Sequence, residues 1–242
     1  MRKNLIGLLA LTCSNFAAAD QTAYPTTLFE IAPQITYVHQ SFPINSTPTD
    51  FWSGPNAGMT LRFTPIWRGK YPLLIHFGGQ RLLEQNGSGI TVIGEHMNEK
   101  YLWTFGMRMG FYPLETRRVL FTAGFEFNHD AFIRDLTGNQ GHLNKVLFPT
   151  LALGTSFEWY RTESFSALLD LGFKADFSVP MDVYLVRNGI IVNARLGAKW
   201  RTEGLQFSAS LLVEPHWMNT TLGDASRMLT AIEFGVGWGN GN

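Results

Sequence analysis

Apolar and polar positions alternate with a period of two along most of the chain. Phe121-Thr122-Ala123-Gly124-Phe125-Glu126-Phe127 puts Phe121, Ala123, Phe125 and Phe127 on one face and Thr122, Gly124 and Glu126 on the other, as a half-buried β-strand requires. The alternation recurs in about ten segments, near 28–39, 56–67, 71–82, 100–112, 118–129, 146–160, 165–179, 189–200, 205–218 and 228–239. Each is at least as long as the roughly 9 to 11 residues with which a tilted strand crosses a bilayer. Globular strands average nearer about 5 or 6 residues.

The links between these segments alternate in length. Short ones fall at 68–70, 113–117, 161–164 and 201–204, and five long ones at 40–55, 83–99, 130–145, 180–188 and 219–227. Tight turns at one membrane face and long loops at the other produce this rhythm in an antiparallel up-and-down barrel, and an even strand number keeps both termini on the short-turn side. The expected fold is therefore all-β, a transmembrane β-barrel of about ten strands. Two of the short links share a phrase, Arg161-Thr162-Glu163-Ser164 and Arg201-Thr202-Glu203-Gly204, each preceded by aromatic residues. Trp67, Tyr112, Trp159, Tyr160 and Trp200 beside the short links are expected to form a periplasmic aromatic girdle among lipid headgroups.

A soluble barrel also alternates, with its apolar face inward, so the other face decides. Opposite the apolar rows lie many glycines, among them Gly58, Gly78, Gly106, Gly124, Gly154, Gly172, Gly197 and Gly235, mixed with Ser, Thr and isolated charges. A water-facing wall favours long Lys and Glu side chains, whereas a narrow packed lumen needs small residues beside a few paired charges. The apolar rows are large and uninterrupted: Tyr101, Trp103, Phe105, Met107, Met109 and Phe111 in one segment, Phe165, Ala167, Leu169, Leu171, Phe173, Ala175 and Phe177 in another. Lipid is the expected neighbour of such rows, since Lys or Arg at mid-bilayer costs roughly 2 to 4 kcal/mol in barrels. A β-propeller, suggested by short turns recurring every forty-odd residues, needs four short strands per interval, where this chain offers two long ones.

Arg2 and Lys3, the apolar stretch Leu5 to Leu11 and Ala17-Ala18-Ala19 form a secretory signal peptide over 1–19, with 20–242 as one barrel domain carrying five long extracellular loops. No later window is long and apolar enough for a membrane helix. Cys13 is the chain's single cysteine and lies within that leader, so no disulfide is expected; the bulky Thr12 before it speaks against a lipoprotein. Losing Arg2 and Lys3 from 19 basic residues against 19 acidic ones leaves the chain near neutral, which points away from nucleic acid. Charged residues are only 16% of the chain and aromatics 14%, against about 25% charged in soluble domains, as a wall facing lipid requires.

Counted from the short turns, Glu30, Arg62, His76, Arg108, Asp170, Arg195 and Glu233 fall at a similar depth, and Glu126, Lys174, Asp176, Glu214 and His216 nearer the long links. Ionised groups at membrane depth are expensive unless paired, so these predict neutralised lumen clusters. They either fill the lumen and fix register or line a narrow path. Plugging is favoured, because water-filled porins use about 16 to 18 strands.

Two enzyme types can be tested. An omptin-like protease needs His-Asp and further aspartates at the rim; His129-Asp130 and Asp135 are present, but adjacent strand residues face opposite ways. A lipase or deacylase needs Ser, His and carboxylate within reach, and no motif ties Ser41, Ser46, Ser53 or Ser88 to His39, His96, His129 or His142. No metal-ligand spacing is present and no cofactor is expected. Asn45-Ser46-Thr47 and Asn219-Thr220-Thr221 match the glycosylation pattern, which has no expected use in a bacterial envelope.

On the pattern of residues 28–239 and the opening Phe29-Glu30-Ile31-Ala32-Pro33-Gln34-Ile35-Thr36-Tyr37, the chain resembles small Gram-negative outer-membrane barrels, the broad class of the OmpA-like and OmpX-like barrels and the omptins. Ile232, Phe234, Val236 and Trp238 alternate as in that class, but Gly239-Asn240-Gly241-Asn242 follows where its members usually end on an aromatic residue. The resemblance implies an outer-membrane location, contact with outer-membrane lipid and lipopolysaccharide, and insertion by the barrel assembly machinery. The leading expectation is a non-enzymatic barrel that serves the envelope or presents its loops for contact, with Phe51, Trp52, Phe132 and Tyr184 as loop contact candidates. The alternative is a narrow channel through the charged lumen, and a surface hydrolase comes third.

Overall fold

Each backbone N–H and C=O in a lipid-facing wall needs a partner, and a sheet closed on itself provides one for every strand. The chain meets this requirement with ten long antiparallel strands. The computed structural model describes residues 27–44, 47–67, 70–82, 91–93, 101–137, 140–177, 179–180, 185–220 and 223–239. The wall is built from β1 (Thr27–Ile44), β2 (Thr47–Trp67), β3 (Tyr71–Leu82), β5 (Tyr101–Phe111), β6 (Val119–Thr137), β7 (Gln140–Arg161), β8 (Phe165–Asp176), β10 (Leu185–Thr202), β11 (Leu205–Thr220) and β12 (Gly223–Gly239). Two short pieces, β4 (Thr91–Ile93) and β9 (Val179–Pro180), add to β7 and β10. Each long strand pairs with the next, and β12 returns to β1 from Leu28↔Gly239 to Ser41↔Ser226, which closes the barrel.

The apolar face points outward. Every residue of the row Tyr101, Trp103, Phe105, Met107, Met109 and Phe111 is exposed on the outer wall, as are Phe121, Phe125, Phe127, Leu171 and Phe173. The intervening positions point into the lumen, where Glu30, Glu126, Lys174, Glu214 and Glu233 are buried. This is the inside-out arrangement that lipid imposes and water forbids.

The inward glycines answer to side chains on neighbouring strands. A Cβ on Gly106 would overlap the His76 imidazole, and one on Gly235 would overlap the Glu30 carboxylate and the Ser208 hydroxyl. Glycine in a strand weakens it, and close approach of a neighbour supplies the reason here.

The strands run further than the hydrophobic pattern predicts. β2 has 21 residues and β7 has 22, roughly 70 Å of strand at about 3.3 Å per residue; even when tilted they exceed an apolar band of roughly 25 Å. The stretches 40–55 and 130–145, expected as loops, are hairpins whose ladders continue to Ile44↔Thr47 and Thr137↔Gln140. Phe51 and Trp52 therefore belong to β2 and Phe132 to β6, a correction to their placement in loops. Beyond the apolar band both faces of a strand meet water, so the period-two signal fades while backbone pairing persists. Tyr184, the leader 1–19, Ser46, Ser88 and His96 lie outside the described residues.

Candidate functional site

The lumen holds the ionisable groups, and they sort into layers because inward positions recur every second residue on tilted strands. In one network Arg62 on β2 reaches Glu233 on β12 at 2.6 Å and Glu30 on β1 at 3.6 Å, and Arg195 on β10 reaches Glu233 at 3.4 Å. Ser208 donates to Glu30 and Ser210 to Glu233. Asp170 accepts from Ser156 and is paired in register with Arg195.

A second network lies nearer the long links. Glu126 on β6 pairs with Arg108 on β5 and with Lys174 on β8 at 3.0 Å, and Lys174 also reaches Glu214 on β11 at 2.9 Å. Arg227 stands 3.8 Å from Glu214, and His76 stands 3.7 Å from Glu126. The sequence groups Arg108 and His76 by depth with Arg62 and Arg195; the structure places them with Glu126 instead, because barrel shear offsets the heights of successive strands. Arg227 was not among the sequence candidates, though its inward position follows from the parity of β12.

Above this layer His216 Nε2 stands 2.7 Å from Asp176, whose carboxylate also accepts from Thr150 at 2.7 Å. The Phe148 ring meets His216 edge-on, and Phe148, Ile191 and Met218 are almost wholly buried beside it. Sequence reasoning missed these apolar residues because an isolated inward Phe or Met on a strand carries no periodic signal.

At the short-turn end a further set surrounds one carboxylate. Glu158 pairs with Arg161 and lies 3.8 Å from Arg201, and Arg161 donates to the Thr116 carbonyl at 2.9 Å. The Glu158 N–H donates to the Arg118 carbonyl at 2.8 Å. A cavity of about 460 Å³ runs between this set and the two networks. Among the described residues, no group of three or more His, Cys, Asp or Glu side chains is arranged to hold a metal ion.

The closed wall, outward apolar face and charged lumen together constrain the assignment. No protein-family profile and no curated protein sequence matches the chain. Solved structures do: the outer membrane protease OmpT from Escherichia coli aligns at a TM-score of 0.52 and 9% identity, over 91% of this chain and 99% of that one. The translocator domain of the autotransporter NalP from Neisseria meningitidis aligns at 0.47 and 11%, over 98% and 97%, and the outer membrane protein OprG from Pseudomonas aeruginosa at 0.39 and 11%, over 92% and 100%. The fold is that of a bacterial outer-membrane β-barrel.

Of the five aromatic residues near the short turns that are expected to point outward, four do. Trp67, Trp159, Tyr160 and Trp200 are exposed on the outer wall. Trp159 and Tyr160 are both outside because a bulge between Glu158 and Tyr160 interrupts the alternation. Tyr112 is a correction. Phe111 faces outward, so the next residue turns into the lumen, where it lines the cavity. Burial first, and then Glu158, raise its hydroxyl pKa above the ordinary tyrosine value. Tyr71, stacked on Phe111 at 5.8 Å between centroids, and Trp238, 4.6 Å from Phe29, are outer-wall aromatic residues that the expected girdle did not include.

His129 stacks on Trp103 with ring centroids 5.3 Å apart, and its inward neighbour Asn128 bonds to Thr104 and Thr150. The side chain of Asp130 lies outside the described residues. The side chains of Phe51, Trp52, Phe132 and His142 lie outside the described residues.

Proposed function

We propose that the protein is an integral outer-membrane barrel, exported by its leader, whose lumen is closed in the resting state and which acts through the surface it projects. The observation that carries this reading is that ion pairs inside the lumen tie together strands that are not neighbours. Arg62–Glu233 and Arg195–Glu233 each skip one strand, as do Lys174–Glu126 and Lys174–Glu214. Charges bound to one another inside a narrow bore are poor ligands for a passing ion, which must replace its hydration shell at each site. Phe148, Ile191 and Met218, buried near His216, add apolar side chains on the far side. The tall hairpins β1–β2 and β6–β7 extend past the apolar band and present surface for contact. Outer-membrane lipid and lipopolysaccharide are the neighbours of the wall in this reading, and the barrel assembly machinery inserts it.

The test is single-channel recording in a planar bilayer with refolded protein whose heat-modifiable gel band confirms the barrel. Silence at neutral pH is the expected result. Discrete steps of reproducible conductance would overturn the closed-lumen reading and put a narrow channel in its place, supported then by the cavity between the networks. A chain shortened through residues 133–143 is expected to fold and insert yet fail to complement the detergent sensitivity of a deletion strain. Full complementation would remove the β6–β7 hairpin from the contact role.

A further inference from the structure

The outer wall carries a cation on an otherwise apolar face. Among the residues whose side chains are described, every other lysine and arginine of the ten long strands lines the lumen cavity. Arg81 instead shares the outward parity of Tyr71 and Phe77 on β3 and is exposed. A cation on the lipid face is costly at mid-bilayer and nearly neutral at the headgroups, so its height decides what it can meet.

Arg81 lies ten residues along β3 from Tyr71, which spans roughly 33 Å at about 3.3 Å per residue and rises about 25 Å at a tilt of about 40°. That rise matches the height of the apolar band. With Tyr71 at the short-turn interface, the Arg81 guanidinium therefore reaches the headgroups on the long-link side.

The surroundings of Arg81 suit that level. Its guanidinium lies over the Tyr101 ring, 5.8 Å from the centroid, and one row below, Trp103 stacks on His129 with centroids 5.3 Å apart. Tyr101 and Trp103 are both exposed on the outer wall, where such rings rest among headgroups. An arginine stacked on a ring keeps its in-plane N–H groups for oxygen acceptors. Among the described residues no carboxylate pairs with it.

The wall beneath the arginine is notched. Gly79 faces outward between Phe77 and Arg81, with Met59 of β2 and Trp103 of β5 opposite it in register. Gly106 and Gly235 make room for side chains inside the lumen, but a Cβ at Gly79 would meet nothing within 4 Å. Packing within the protein does not require glycine here. Glycine weakens a strand, and close approach of a ligand is one of the reasons that a strand keeps it.

We infer that Arg81, Gly79 and the Tyr101 and Trp103 rings form a seat for one phosphorylated lipid of the outer leaflet, with its phosphate on the Arg81 fork and an acyl chain in the notch over Gly79. Lipopolysaccharide, through the phosphates of its lipid A, is the occupant. The guanidinium fork matches the paired oxygens of a phosphate, and a free phosphate would leave the notch empty. The inference rests on the reading of the long links as the cell-surface side, and deepens it by fixing one lipid at one place on the wall.

The test is native mass spectrometry of the refolded full-length protein in detergent, titrated with bisphosphorylated lipid A, with the same lipid stripped of its phosphates, and with inorganic phosphate as competitor. Retention of one lipid A per barrel in preference to the stripped lipid is expected, undisturbed by inorganic phosphate at equal concentration. Arg81→Gln is expected to weaken retention about tenfold, the effect of one charge-assisted hydrogen bond. Gly79→Leu, where a side chain meets nothing in the protein, is expected to fold and to weaken retention by filling the notch while the arginine stays in place. In protein with a heat-modifiable folded band, equal retention of the two lipids, displacement by inorganic phosphate, or wild-type retention in either variant would overturn the seat. Conductance does not enter these readouts, so the seat and the closed lumen stand or fall separately.

Discussion

The Glu126–Lys174–Glu214 relay makes an asymmetric prediction. Lys174 sits between two carboxylates at 3.0 and 2.9 Å, and each carboxylate has an arginine of its own, Arg108 on Glu126 and Arg227 on Glu214. Lys174→Met therefore leaves two one-to-one pairs and no net charge in the layer. The longer Arg227–Glu214 separation of 3.8 Å means some loss, no more than about 2 kcal/mol, because neither carboxylate is stranded. Glu126→Gln removes a carboxylate whose side chain is 1% exposed and leaves the three cations of the layer with Glu214 as its remaining carboxylate. Breaking a buried pair from one side costs roughly 3 to 5 kcal/mol. The double variant restores the wild-type excess of one cation and should be more stable than Glu126→Gln by itself, a non-additivity expected of neighbours in one network. Urea unfolding and refolding in detergent micelles, followed by tryptophan fluorescence and gel shift, reads all four forms. A Lys174→Met cost equal to or greater than that of Glu126→Gln would refute the pairing scheme, since it would make the lysine rather than the carboxylate the indispensable centre.

Three other outcomes are expected in the same assay. Gly106→Ala places a methyl group on the His76 ring and should cost about 1 to 3 kcal/mol as overpacking, and His76→Ala in the same chain should recover most of it; equal costs with and without the ring would show that strand propensity dominates. Phe125→Arg, on an outer side chain 56% exposed, should cost roughly 2 to 4 kcal/mol in lipid, whereas Trp159→Arg near the headgroups should cost roughly 0 to 1; similar costs at the two depths would contradict the placement of the bilayer band. Replacing residues 133–143 by a two-residue turn should leave the unfolding midpoint within experimental scatter, because the ladder from Val119↔Phe157 to His129↔Leu147 remains, and a large loss would show that the raised hairpin supports the wall.

Alternation carried most of the fold, because inside and outside meet opposite solvents and the side-chain period is two. It identified the inward position of the charges in both networks except Arg227, and the strand pattern predicted the closed ten-strand order. Pairing was less accessible. Depth along a strand can be counted from a turn, but the partner depends on shear, which a single chain does not display, so Arg108 and His76 were grouped with the wrong carboxylates. The hairpin extensions escaped for a different reason. Above the bilayer there is no solvent contrast to impress a period on the side chains, and only the backbone pairing continues.

Two tyrosines, Tyr112 misread and Tyr160 placed on the outer wall against parity, show how local the remaining information is. Tyr112 follows an outward Phe111 by one residue, so strict alternation already sends it into the lumen; treating it as an interface residue put residue type ahead of parity. Tyr160 is the opposite case, since parity predicts an inward side chain and the bulge after Glu158 turns it out. That bulge leaves Glu158 facing inward, where Arg161 and Arg201 meet it. The irregularity in β7 and the left-handed Arg117 in the adjacent link therefore act on the same place. The bulge breaks the alternation of the wall and Arg117 shapes the link before β6, where the Arg118 carbonyl accepts from the Glu158 N–H. Departures from regularity cost stability and persist where something else is gained, and here the bulge brings Arg161 inward onto Glu158 at the short-turn end of the lumen.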